Sequence, residues 1–204
     1  MKCDVDLDFG SRSEILSLID YTSAVLENGE KHNSGIYVNE VPKNILTNNA
    51  SIDYKKAEDL GYFKLDILNN NLYKQVKSPQ HLDELLAKPI NWDRLKEPEF
   101  VKKLVHIGNY SEMILRLKDP IDSIEKLALL LAIIRPGKKY LQGLPWNIIE
   151  KSVWDRNDDE GYSYKRSHAL AYALTIIIDI QLLAEKEIML NQLAKLQRKN
   201  IRKS

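Results

Sequence analysis

Polar and apolar residues alternate without a break over Asp4-Val5-Asp6-Leu7-Asp8-Phe9, the two-residue period of a β-strand. Gly10 stops the run. Ser13 then stands where it can cap a helix over 14–26, with Ile15, Leu16, Leu18 and Ile19 on the buried side. Asn28-Gly29 is a turn signal. Gly35-Ile36-Tyr37-Val38 predicts a second strand, halted by Pro42, and a loop rich in asparagine follows (Asn44, Asn48, Asn49). A short helix over 53–60 precedes Gly61, which opens a third strand, Tyr62-Phe63-Lys64-Leu65-Asp66-Ile67-Leu68.

From Pro79 onward the pattern is helical and punctuated by prolines. Helices are predicted over 81–86, 99–106, 110–117 and 123–134, the last stopped by Pro136-Gly137. Another is predicted over 146–154. A polar, acidic loop spans 156–161, and 167–202 reads as one long helix or two in tandem. The expected class is therefore α+β, with an α/β part at 1–76 and a helical part at 77–204. No internal repeat or low-complexity segment interrupts it.

Composition narrows the picture only a little. The chain has 204 residues, 44% hydrophobic and 29% charged, which suits a soluble globular protein. A net charge of +1 gives no global field that would mark a nucleic-acid binder. The single cysteine, Cys3, excludes a disulfide framework and a cysteine-rich zinc site. No apolar stretch follows the basic start, so no secretory leader is expected. The longest apolar run, 169–184, is broken by Asp179 and Gln181 and is shorter than the roughly 20 residues that span a bilayer. It reads as a buried helix, and a cytoplasmic protein without membrane contact is expected.

The candidate chemistry lies in the carboxylates. Residues two apart in a strand share a face, so Asp4, Asp6 and Asp8 point one way while Val5, Leu7 and Phe9 point into a core. Asp66 sits mid-strand between Leu65 and Ile67. If the two strands are neighbours, Asp66 comes beside Asp4 and Asp6. Carboxylates so crowded repel one another, and divalent cations relieve the repulsion. Hard oxygen ligands suit magnesium. Two such ions about 3.5–4 Å apart can clamp the attacking and leaving oxygens of a nucleotidyl transfer. The same alternation also fits a solvated antiparallel strand, although aspartate is depleted in strands.

Five segments resemble, in order, motifs of the C-family replicative DNA polymerases of bacteria (DNA polymerase III, alpha subunit). Asp4-Val5-Asp6-Leu7-Asp8-Phe9 is similar to the palm motif in which two aspartates alternate with apolar residues. Lys31-His32-Asn33-Ser34-Gly35-Ile36-Tyr37-Val38 resembles the His-x-x-Gly strand of that palm. Tyr62-Phe63-Lys64-Leu65-Asp66-Ile67-Leu68 resembles the strand carrying the third catalytic aspartate. The segment ending Ala132-Ile133-Ile134-Arg135-Pro136-Gly137 resembles the fingers helix that ends in Arg-Pro-Gly. The stretch from Gly161 to Ala173, which contains Lys165-Arg166-Ser167-His168, resembles the family's Lys-Ser-His segment.

The resemblance implies a partial nucleotidyltransferase-type palm sheet followed by helical fingers, and a magnesium-dependent DNA-directed DNA polymerase. Asp4, Asp6 and Asp66 match the catalytic, metal-binding aspartates, and Asp8 matches an acidic position beside them. Lys64 and Arg135 match contacts to the incoming triphosphate. His32, Lys165, Arg166 and His168 are implied contacts to the nucleic-acid backbone or template. The implied partners are primer-template DNA, deoxynucleoside triphosphates and other replication proteins.

Departures accompany the match. No room exists ahead of Asp4 for the family's Gly-Ser-rich palm segment, and too few residues separate Asp8 from Asp66 for a thumb. Tyr164 stands for the family's Phe, and Arg166 for its Lys. Three readings follow. The first is a minimal polymerase, or one subunit of a split enzyme, of phage-like context. The second is a non-catalytic remnant that binds nucleic acid or a replication protein. The third is a nucleotidyltransferase acting on some smaller substrate.

Other residues have plainer readings. Arg135 also suits a helix C-terminus on dipole grounds. Trp92, Trp146 and Trp154 read as core anchors, and His81 and His106 as surface or packing residues. The acid-free tail 195–204 reads as a solvated helix end that could instead track a phosphate backbone.

Overall fold

The computed structural model describes residues 5–155 and 164–201, without the side chains of 199–201. Asp4, the predicted loop 156–161 and Gly161-Tyr162-Ser163 lie outside the described residues. The chain is α+β. It divides into two compact units between Lys77 and Ser78.

The first unit is built on a four-stranded sheet of β1 (Val5–Phe9), β2 (Thr22–Val25), β3 (Lys31–Tyr37) and β4 (Leu65–Asn69), in the order β1-β4-β3-β2. β1 runs parallel to β4, while β3 is antiparallel to both of its neighbours. Two short helices flank the sheet, α1 (Arg12–Leu16) and α2 (Tyr54–Asp59). Asp53 caps α2 by accepting the N–H groups of Lys55 and Lys56. Between β2 and β3 the Asn28-Gly29 turn forms, with Gly29 at a φ of 81° that favours glycine. Tyr37, Val41, Ala24, Ala50 and Ala57 form the core, with Ile52, Tyr54 and Tyr62 packed against it.

The helix predicted over 14–26 is a correction. It ends at Leu16, and Thr22–Val25 is a fully buried strand instead. The Ser17 hydroxyl donates to the Glu14 carbonyl at 2.7 Å, competing with helix continuation. Thr22, Ser23 and Val25 gain sheet partners on β3. Leu18, expected in the core, is 78% exposed, because pairing to the sheet overrides the apolar period. Val38, placed by the sequence in a strand, is exposed beyond the end of β3.

The second unit is helical: α3 (Pro79–Ala87), α4 (Pro98–Val101), α5 (Ser111–Leu115), α6 (Ile124–Ile133), α7 (Trp146–Ser152) and α8 (Arg166–Ile201). The helix predicted over 99–106 is only one turn long. The chain turns out of it, and His106 takes a φ of 61°. α6 is apolar all round, from Leu127 to Ile133, and is buried on every side. It packs along α8, whose Ala169, Ala173, Ile176, Ile177 and Ile180 belong to the same core. α8 is long and apolar enough to cross a membrane by composition, yet its apolar stretch is the core of this unit.

Asp179 and Gln181 interrupt that stretch, and each satisfies backbone that packing would otherwise leave without a partner. Asp179 accepts the Val105 N–H at 2.8 Å. Gln181 donates to the carbonyls of Lys88 and Pro89 at 3.2 and 3.3 Å. Beyond Leu183, α8 is held by ion pairs. Glu187 takes Arg94 in a two-pronged contact at 2.8 Å, and Glu185 takes His81 and Lys88. Its last turns are solvated.

Burial pushes the Asp179 carboxyl above the usual carboxylate range, more than the Val105 N–H lowers it. The folded chain therefore keeps this proton to a higher pH than the unfolded chain does. Its stability is unpenalised below the unfolded pKa and declines as pH rises towards the folded value. Asp179→Asn keeps an acceptor for Val105, so urea denaturation from pH 4 to 7 is expected to show a flatter decline than the wild type. Asp179→Leu strands that N–H and is expected to cost about 1–3 kcal/mol.

Candidate active site

Asp66 is the second residue of β4, with Asp6 of β1 in parallel register on one side and Gly35 of β3 on the other. In-register residues on adjacent strands present their side chains to one face. A strand-borne carboxylate is thereby set beside a second one sixty positions away. The Asp66 side chain is only 9% exposed, so its charge has to be met from within the protein. Two groups meet it. The Ser34 hydroxyl donates to Oδ1 at 2.7 Å, and the Lys64 ammonium pairs with Oδ2.

Lys64 reaches this oxygen by passing its stem over Gly35. A Cβ on Gly35 would stand 2.9 Å from Lys64 Cδ, 3.0 Å from His32 Nδ1 and 3.1 Å from Ala24 Cβ. Glycine is required here for the close approach of three neighbours rather than for its backbone angles. The ammonium also lies 5.8 Å from the centre of the Tyr54 ring. His32 sets its ring edge-on against the same tyrosine, at 5.5 Å.

His32 has a positional task in this geometry. Its Nδ1 accepts the Gly35 N–H at 2.9 Å and the Ser34 N–H at 3.3 Å. A nitrogen that accepts from the backbone carries no proton, so the ring's proton sits on Nε2. The 3.7 Å approach of Nδ1 to Asp66 Oδ1 is thus a contact between two acceptors, not an ion pair. His32 holds the bend of β3 that brings Ser34 to Asp66. Asp8 shares the face of Asp6 and takes a long contact from the Asn70 amide at 3.5 Å. Arg12 backs the end of β4, donating its Nε to the Ile67 carbonyl at 3.0 Å.

Tyr37, the last residue of β3, is buried, and no described residue takes its hydroxyl. Burial, and then the negative charges of Asp53, Asp66 and Glu58, push its pKa up to about 12. It stays a neutral phenol throughout the physiological range.

Asp6 and Asp66 are hard oxygen donors in register, which fits a magnesium ion. The Asp66 carboxylate already holds a cationic group, Lys64. Among the described residues no set of three or more His, Cys, Asp or Glu side chains gathers. The third carboxylate expected from the sequence, Asp4, lies outside them.

The remaining sequence candidates belong to the helical unit. Arg135 follows α6, stacks on the Tyr164 ring at 4.0 Å and hydrogen-bonds the Tyr164 hydroxyl, while its buried Nε has no partner among the described residues. Tyr164 stacks in turn on Tyr172 at 5.5 Å, and the His106 ring lies tilted against Tyr172 at 4.5 Å. Lys165, Arg166 and His168 cluster in sequence where α8 begins, with the first two exposed. Arg166 also lines a cavity of about 400 Å³ with Trp154, Trp146 and Lys126. Trp146 donates its indole N–H to the Asp119 carbonyl, as a core anchor does. Lys138, a buried lysine just past Arg135, carried no distinguishing sign in the sequence.

Sequence reasoning also missed Ser34, Tyr54 and Asn70. For Ser34 a signal existed: a Ser-Gly pair just ahead of the apolar Ile36-Tyr37 places two small residues at the level of a mid-strand aspartate. Comparison with protein-family models, curated proteins and solved structures finds no match for this chain.

Gly35→Ala is expected to destabilise the protein by about 1–3 kcal/mol, since the new methyl meets three neighbours that cannot all retreat. Ser34→Ala is expected to cost about 1–3 kcal/mol by removing a donor from a buried carboxylate. Chemical denaturation at neutral pH measures both.

Proposed function

We propose that this chain is a magnesium-dependent nucleotidyltransferase of the DNA polymerase kind, a minimal palm-and-fingers polymerase or one subunit of a split enzyme. The observation that carries the reading is the register of Asp6 with Asp66. Two carboxylates from distant motifs stand side by side on parallel strands, and a lysine, a serine and a histidine surround one of them. The motif order along the chain supports the same reading.

On this reading Asp6 and Asp66, together with Asp4, hold the metal. Bound magnesium would neutralise charge developing on the transferred phosphoryl group and activate the attacking hydroxyl. Ser34 keeps the Asp66 carboxylate turned for this work, and His32 is a positioning residue behind Ser34. Lys64 supplies a mobile positive charge within reach of a polyphosphate. From the helical unit, Arg135 offers a planar fork for the triphosphate, while Lys165, Arg166 and His168 suit the backbone of a nucleic acid. Primer-template DNA and deoxynucleoside triphosphates are the proposed substrates, with other replication proteins as proposed partners in a cytoplasmic, phage-like setting.

One observation favours the second reading, a non-catalytic remnant that binds nucleic acid or a replication protein. Both Asp66 oxygens are engaged internally, by Lys64 and Ser34, so the fold needs no metal to tolerate the carboxylate.

Single-nucleotide extension of a labelled primer-template with magnesium separates the two. The polymerase reading expects extension by the wild type, alone or with its natural partners, and background levels from Asp6→Asn and Asp66→Asn. Arg135→Ala is expected to raise the KM for nucleotide by tens-fold, the size of a lost charge-assisted hydrogen bond. DNA binding that persists in the aspartate variants, without extension by any form, would favour the remnant.

A further inference from the structure

The Lys64–Asp66 contact sets a condition on cation binding. Lys64 is two residues ahead of Asp66, just before β4 begins, and its ammonium sits on Oδ2, while the Ser34 hydroxyl of β3 donates to Oδ1. The two partners differ in what they permit. A hydroxyl donating to one lone pair of a carboxylate oxygen leaves the other lone pair for a metal. An ammonium on the second oxygen brings a full positive charge to the place a dication needs, and the two repel strongly at that range. Asp66 and Lys64 are 9% and 14% exposed, so water screens the repulsion poorly. The lysine stem packs over Gly35 and its ammonium lies near the Tyr54 ring, and the flexible chain can swing that ammonium away.

We propose that Lys64 is a built-in competitor for the metal: it occupies Asp66 when no divalent cation is bound and leaves when one binds. The proposal rests on the reading of Asp6 and Asp66 as metal ligands and adds a regulatory element to it. The ion pair lets the sheet keep a buried carboxylate without metal, since removing one partner of such a pair leaves an uncompensated charge. In exchange it weakens the site for a lone cation. The displaced ammonium is then available to an anionic ligand, so cation and polyphosphate favour one another's binding. That coupling is reciprocal.

The test uses the whole chain and manganese as the probe, with free manganese read by electron paramagnetic resonance and melting read by circular dichroism. Lys64→Met keeps the stem and removes the charge. Lys64→Gln also keeps a donor for Asp66, in case the methionine variant folds poorly. Both are expected to bind manganese at least about tenfold tighter than the wild type. Both should melt below the wild type in chelator and recover more on adding manganese than the wild type gains. Asp66→Asn is expected to lose the site. Unchanged or weaker affinity in the lysine variants, with binding still lost in Asp66→Asn, would overturn the competitor role and leave the metal site standing. No binding by any form would overturn both the competitor role and the proposed metal chemistry.

Discussion

A buried carboxylate in the middle of a sheet is the constraint around which the first unit is organised. Asp66 is barely accessible, and a charge there is tolerable only when hydrogen-bonded and paired. Each neighbour answers to that need. Lys64 supplies the counter-charge, Ser34 a hydroxyl donor, and Gly35 the space for the lysine stem. His32 ties down the N–H groups of Ser34 and Gly35, and so holds the strand that carries them. The parallel pairing of β1 with β4 then brings Asp6 alongside. A purely structural role for Asp66 would be met more cheaply by an apolar residue of similar size, since buried ion pairs seldom outdo a hydrophobic substitute. That imbalance favours a chemical use for the carboxylate pair.

The helical unit follows a different logic. Its interior is almost wholly apolar, and α6 and α8 supply most of it. Where α8 carries Asp179 and Gln181 into that interior, each meets a backbone group of a packed loop: Asp179 meets Val105, and Gln181 meets Lys88 and Pro89; the buried Thr175 hydroxyl donates instead to the Ala171 carbonyl of its own helix. The aromatic column Arg135–Tyr164–Tyr172–His106 joins the end of α6 to the start of α8. Under the polymerase reading, the arginine assigned to the triphosphate is parked on a tyrosine.

The strands bearing the aspartates were legible in the sequence because alternation over Val5–Phe9 and around Asp66 is a local signal. So was the long buried helix, from its apolar run over 169–184. The short helices at 54–59 and 124–133 were marked by Asp53 and Ser123 caps. Segment 17–25 was not legible, because Leu18 and Ile19 mimic a helical stripe while the pairing of Thr22–Val25 with β3 is a non-local effect. The adjacency of β1 and β4 could be stated only as a condition, since register is set by tertiary contact. Ser34, Tyr54 and the backbone-capping use of His32 depend on a bend of β3 that no local pattern encodes. Lys138 likewise looks like any surface lysine until the turn after α6 encloses it.

The account stands or falls on whether the Asp6–Asp66 pair is a metal site. The most direct measurement is anomalous diffraction from crystals grown with manganese. The account predicts a peak between the two carboxylates, with the Lys64 ammonium withdrawn from Asp66. A well-ordered sheet with Lys64 still on Asp66 and no anomalous peak at the pair would contradict it.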